Sequence, residues 1–134
     1  MFVYTRVAQY HETDQMGVIH HSNYVKWMEE ARIAFLDSVG LSYRSVEEGG
    51  IVSPVTGLAV EYRQPVHFGD TVEIEVSVAG YTGVRCELHY TMRRGDAVCT
   101  TAVSKHCFLK NGRIIALQKA APEIDAILRA HRQD

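Results

Sequence analysis

The chain has 134 residues, with 14 Lys+Arg against 16 Asp+Glu, a formal net charge of −2, 46% hydrophobic and 22% charged residues. That is globular composition, enough for one core in a single domain over residues 1–134, and it excludes a disordered chain. No long basic run marks a nucleic-acid partner, and no apolar stretch approaches the roughly 20 residues of a membrane span.

The opening segment MFVYTRVAQYHETD lacks the uninterrupted apolar run of a secretory signal, so a cytoplasmic protein is expected. Residues 2–10 read as a strand and 11–21 as a polar loop. From Ser22 to about Val39 the pattern becomes helical: Tyr24, Trp27, Met28, Ala31, Phe35 and Val39 form one apolar stripe. Ile33, Ala34 and Leu36 widen it, which predicts burial over more than half the circumference, with Lys26, Glu29, Glu30, Arg32 and Asp37 solvated. Ser22 or Asn23 is the expected N-cap, and Gly40 stands where a helix-terminating glycine belongs. A short amphipathic turn over 42–48 precedes Gly49-Gly50.

The second half alternates with period 2. Leu58, Val60 and Tyr62 oppose Ala59, Glu61 and Arg63; Val72, Ile74, Val76 and Val78 oppose Thr71, Glu73, Glu75 and Ser77. Val84, Cys86, Leu88, Tyr90 and Met92 oppose Arg85, Glu87, His89, Thr91 and Arg93. Each set predicts a half-buried antiparallel strand with one solvated face. Turn chemistry separates them at Phe68-Gly69-Asp70, Tyr81-Thr82-Gly83 and Arg94-Gly95-Asp96. A fourth run covers 97–109, a short return strand 113–117, and a helix follows Pro122. The long helix is the only element large enough to cover the sheet's apolar face. The expected class is α+β, a curved antiparallel sheet wrapped around one long central helix. There is no internal repeat, and the prolines at 54, 65 and 122 mark element edges. Cys86, Cys99 and Cys107 cannot all pair within one chain and form no CxxC, so they read as buried reduced thiols.

The densest titratable cluster is the loop holding His11, Glu12, Asp14, His20 and His21, directly before the long helix. Unpaired amides at a helix start favour developing negative charge, and a nearby carboxylate suits acyl chemistry. By default a loop aspartate is a turn or capping residue. Glu12 reads as solvated or as a local hydrogen-bonding partner. The five side chains match no HExxH-like frame, which disfavours a metal site. The serines lack a GxSxG elbow, and the cysteines lack an activating neighbour.

The stretch from Tyr10 to Tyr24, YHETDQMGVIHHSNY, resembles the signature of the hotdog-fold acyl-CoA thioesterases, in the 4-hydroxybenzoyl-CoA thioesterase and YbgC-like branch. EYRQPVHFGD, from Glu61 to Asp70, resembles the strand-to-strand turn of that family. The resemblance implies hydrolysis of an acyl-CoA to free acid and CoA, with no metal or organic cofactor. It implies that Asp14 is the catalytic carboxylate, as nucleophile or as general base, and that the backbone N–H of His21 binds the thioester oxygen. The His21 imidazole would orient water or the carboxylate, and Gly17 would let the backbone approach substrate. Val18 and Tyr24 would touch the acyl group. The partner subunit of a homodimer or homotetramer would supply Val55, Thr56, Gly57 and Leu58. The region that carries several basic residues in some members here holds only Arg85. Phosphate contacts from Arg85, Arg93, Arg94 or Lys105 are expectations of the same kind, and an acyl carrier protein thioester is the alternative substrate. A non-catalytic acyl-CoA-binding hotdog module is the rival from another class. The Asp-x-x-Gly loop argues against a hotdog dehydratase. Acyl identity stays open, with a lean towards aliphatic chains.

Overall fold

The computed structural model describes residues 1–133. Strand β1 (Phe2–Val7) alternates between a half-buried and an exposed face and runs into a single 3₁₀ turn at Tyr10–Glu12. Helix α1 (Ser22–Ser38) buries the expected stripe of Tyr24, Trp27, Met28, Ala31 and Phe35. It ends as the glycine predicts. Gly40 takes φ +87°, Leu41 N–H donates to the Leu36 carbonyl at 2.8 Å, and Gly40 N–H donates to Asp37 at 3.2 Å.

Two expectations for this helix are corrected. Arg32 is not solvated: it is buried, with Nε on Glu29 at 2.8 Å and its guanidinium over the Tyr43 ring. Neither Ser22 nor Asn23 is the N-cap. His21 occupies that position with helical dihedrals and no side-chain cap, while the imidazole Nδ1 of His20 accepts from Ser22 N–H at 3.2 Å. Ile33 departs from expectation too: it does not widen the buried stripe but is exposed, as is Val25, and both line a groove facing Val55 and Leu58.

After α2 (Tyr43–Glu48) come β2 (Ile51–Val52), β3 (Val55–Tyr62), β4 (Thr71–Tyr81), β5 (Arg85–Arg94) and β6 (Ala97–Cys107). The chain then forms β7 (Leu109–Lys110), β8 (Arg113–Ile114), α3 (Leu117–Ala120) and α4 (Pro122–His131). A five-stranded antiparallel sheet has the order β1-β4-β5-β6-β3, and β2, β7 and β8 make a small second sheet. The return strand read over 113–117 is shorter than expected, because Leu117 opens α3 and is fully buried. Helix α1 covers the concave face and α4 packs against β4, enclosing one core from Ala8 to Leu128.

Strand β3 departs from its alternation. Val55, Leu58 and Tyr62 are each close to half exposed, and Ala59 and Glu61 on the other face are exposed too. Among the described residues the strand is an edge paired only with β6, and an open groove separates Val55 and Leu58 from α1. Cys86 on β5 and Cys99 and Cys107 on β6 are buried and unpaired, and burial pushes the Cys86 thiol up to about 12. No helix among the described residues is long and apolar enough to cross a membrane.

Candidate active site

The loop between β1 and α1 is fastened from below by Glu12. Its carboxylate is buried, accepting from Arg6 Nη1 at 3.1 Å and Nη2 at 2.8 Å, from Trp27 Nε1 at 2.9 Å and from Gln9 N–H at 2.8 Å. Burial alone would raise its pKa, but the hydrogen bonds from Gln9 and Trp27 and the Arg6 charge overcome that and hold it below the ordinary value. Its carbonyl accepts from Asn23 Nδ2 at 2.9 Å and His20 N–H at 2.9 Å. The solvated alternative for Glu12 is therefore excluded. Asn23 works backwards from α1 onto the loop instead of capping the helix.

Two residues on, Asp14 is half-buried. Its N–H donates to the Val18 carbonyl at 2.8 Å, and Oδ1 accepts from Met16 N–H at 2.8 Å and Val18 N–H at 3.4 Å. The default turn role is thus real, and it uses one carboxylate oxygen. Oδ2 has no protein partner among the described residues. Gly17 takes φ +81°, and a Cβ there would meet nothing within 4 Å. The left-handed backbone of this tight loop, not lack of room inside the chain, accounts for the glycine.

His21 stands where α1 begins. Its carbonyl accepts from Tyr24 N–H at 3.3 Å and from the Tyr62 hydroxyl at 3.1 Å, whereas its own N–H has no acceptor among the described residues. Its ring stacks on His20 at 4.2 Å. Asp14, Val18, His21, Tyr24 and Tyr62 line one open cavity of about 310 Å³. The Tyr24 ring meets Tyr62 edge-on at 5.0 Å, and burial pushes the Tyr24 hydroxyl up to about 12.

Of the sequence-predicted residues, Asp14, Val18, His21 and Tyr24 come together here. Gly17 lies in the same loop. Val55 and Leu58 line a separate groove of about 500 Å³ between α1 and β3, and Thr56 and Arg85 line a third cleft with Lys105 and Arg132. Gly57 lies on β3 with Lys105 packed across it. Arg93 is held by Glu75, whereas Arg94 donates to the Pro65 carbonyl at 2.7 Å and reaches Asp70, so it backs the wall of the Asp14 cavity that Pro65 lines. Sequence reasoning missed Tyr62, whose hydroxyl pins the helix start. The alternation of β3 marks its face but not its partner. Among the described residues no three His, Cys, Asp or Glu side chains converge into a metal-ligating group.

Residues 8–130 match the model of the thioesterase-like superfamily. The chain belongs to that superfamily. An Aquifex aeolicus protein provisionally named an esterase is 32% identical over 123 residues, covering 92% of this chain and 96% of the relative. A Bacillus subtilis relative provisionally named an acyl-CoA thioesterase is 33% identical over 119 residues, 87% of this chain and 86% of its own. Among solved structures, a DHNA-CoA thioesterase from Staphylococcus aureus superposes with a TM-score of 0.92 at 30% identity, covering 96% of this chain and 88% of that one. The sheet wrapped on α1 is thus the hotdog fold, and this thioesterase-superfamily chain is an enzyme of the acyl-CoA thioesterase type.

Proposed function

We propose that this hotdog thioesterase hydrolyses the thioester of an acyl-CoA at the Asp14 cavity. The observation that carries the reading is the pair of unengaged groups at one opening: Asp14 Oδ2 and the His21 N–H. A thioester carbonyl seated between them presents its carbon to the carboxylate and its oxygen to the amide. As general base, Asp14 takes a proton from water, and the resulting hydroxide adds to the carbonyl carbon. The His21 amide, at the positive end of α1, holds the oxyanion. Collapse breaks the C–S bond, and the departing thiolate of CoA takes up a proton. Direct attack by Asp14 instead forms an acyl–carboxylate anhydride that water cleaves. Single turnover in oxygen-18 water identifies direct attack when label enters the Asp14 side chain, which happens when water adds to the Asp14 carbonyl of the anhydride; general-base hydrolysis puts label only in the acid product. Gly17 permits the loop conformation, and Val18, Tyr24 and the His21 ring border the acyl group.

Two further parts belong to the reading. The unpaired edge of β3 joins the same edge of a second copy, which brings the partner's Val55–Leu58 segment to the opening. Arg85 and Lys105, flanking Thr56 in their own cleft, receive CoA phosphates across that seam. Buried thiols suit a reducing, cytoplasmic setting. Acyl-CoA probes of varied chain and ring type, followed by thiol release with a chromogenic disulfide, test the proposal. Turnover is expected with at least one probe. Release only from acyl carrier protein thioesters would move the substrate, and tight acyl-CoA binding without release would make the chain a binding module.

A further inference from the structure

The inner face of β6 is unusually polar for a buried strand. Thr100, Ala102, Ser104 and His106 all point under α1 and are almost wholly buried. Register places Thr100 beside Tyr62, Ser104 beside Leu58 and His106 beside Val55, and Ser104 and His106, with Tyr90 of β5, line the groove between α1 and β3. At its far end the Tyr90 hydroxyl lies 2.7 Å from Ser104 Oγ, which lies 2.7 Å from His106 Nε2. Among the described residues, only two buried side-chain polar atoms lack a hydrogen-bond partner, and both belong to this row: Thr100 Oγ1 and His106 Nδ1. The Ser53 carbonyl acts on the His106 ring without completing a hydrogen bond, and it takes Arg32 Nη1 at 3.4 Å. Natural cores rarely leave such atoms unmet without a functional reason.

We propose that the Tyr90–Ser104–His106 relay is the end wall of the acyl channel and selects acyl groups that carry a hydroxyl at their far end. This rests on the thioesterase reading above and adds the residues that choose the acyl group. Two β3 strands paired antiparallel about their midpoint set the Tyr62 end of one chain beside the Val55 end of the other. Each relay then lies two strand spacings, roughly 10 Å, from the opposite opening. A ring or short chain spans that distance; a long acyl chain overshoots it. Burial first, and then the Arg32 charge, keep the His106 imidazole neutral, with a pKa of about 4. A neutral imidazole offers Nδ1 as donor or acceptor according to tautomer, and a hydroxyl satisfies either. A plain methyl or ring edge leaves the relay as unmet as before, which is how a polar site rejects the analogue that lacks the hydroxyl.

The test measures kcat/KM for paired CoA thioesters: 4-hydroxybenzoyl against benzoyl, and 6-hydroxyhexanoyl against hexanoyl. The wild type is expected to favour the hydroxylated member of at least one pair by about 100-fold, and the favoured pair tells an aromatic from an aliphatic hydroxyl. In Ser104→Ala and His106→Phe the ratio is expected to fall at least tenfold. A wild-type ratio near one in both pairs overturns the inference, as does a ratio that neither substitution changes. Calorimetric binding of the non-hydrolysable thioethers S-(4-hydroxybenzyl)-CoA and S-benzyl-CoA, and of their 6-hydroxyhexyl and hexyl counterparts, to the wild type needs no turnover and no variant. If every thioester stays intact while a hydroxylated thioether binds tenfold tighter or more, the hydrolytic reading fails and the relay stands. Equal binding within both thioether pairs overturns the relay alone.

Discussion

Asp14 holds its loop with one oxygen, and the chemistry assigned to it needs the other. Asn at position 14 keeps an acceptor for Met16 N–H and Val18 N–H, so the loop survives while the base or nucleophile is lost. Asp14→Asn is therefore expected to lower kcat by about 10³, within the range for general-base loss, with an unchanged melting temperature. Near-normal thiol release from a folded D14N protein would remove Asp14 from the mechanism. Glu12 behaves in the opposite way, since its carboxylate faces Arg6 and Trp27 below the loop. Glu12→Gln strips the charge from a buried pair and is expected to cost about 3 kcal/mol in urea unfolding, before any effect on turnover. The folded pKa of Glu12 is lowered, so its contribution is complete above the unfolded value of 4.5 and disappears as pH falls below that through the folded value. A plot of wild-type minus E12Q stability against pH should accordingly collapse on the acid side; a flat difference would contradict the pairing.

At the level of elements, α1, β4 and β5 were legible because each carries a periodic apolar pattern over eight or more residues, while β3 shows six alternating residues and β6 a weaker alternation. The features that make the site were not. The 3₁₀ turn and Glu12 sit in a polar segment with no period, and their burial depends on Arg6 arriving from β1 and Trp27 from α1. Asp14 and His21 become candidates only through the surrounding motif, since the Asp14 carboxylate also makes an ordinary turn here. Arg32 was misplaced because a charged residue on a helix reads as solvated unless its partner, Glu29 one turn back, is credited with carrying it inward. The row on β6 is an alternating pattern whose inward side happens to be Thr, Ala, Ser and His, so polarity and burial give contradictory signals. That row has a measurable consequence for the strand. His106 titrates at about 4 in the folded chain against 6.5 when exposed, because burial and then Arg32 disfavour its charged form, only partly offset by Glu29. Between those values the unfolded chain binds a proton that the folded one refuses. Stability is thus full above about pH 6.5 and falls, by about 3 kcal/mol for this group, as pH drops towards 4. Urea midpoints at pH 7.5 and 5 should diverge in the wild type and converge in His106→Phe; equal divergence in both would assign the acid lability elsewhere.

For the whole molecule, the decisive asymmetry is that one edge of the sheet is finished and the other is not. Along β1 the exposed side chains alternate with half-buried ones, as on an ordinary outer strand. Along β3 both faces are open, and Val55 and Leu58 look across a groove at Val25 and Ile33, the apolar residues that α1 leaves uncovered. Two apolar lines bordering one groove, next to a row of unpaired strand amides and carbonyls, describe half of a continuous sheet. Joining two copies through β3 would extend five strands to ten and bury both lines without rearranging either chain. In the proposed assembly the same joint would close the acyl channel, so assembly and catalysis should fail together. Leu58→Glu places a charge on each side of the two-fold seam, where like charges face each other. The wild type is expected to sediment as a dimer or tetramer at micromolar concentration, and L58E as a monomer with its melting transition retained and kcat/KM reduced by at least tenfold. A wild-type monomer with full turnover would show that one chain builds the entire site and that the exposed face of β3 serves another purpose.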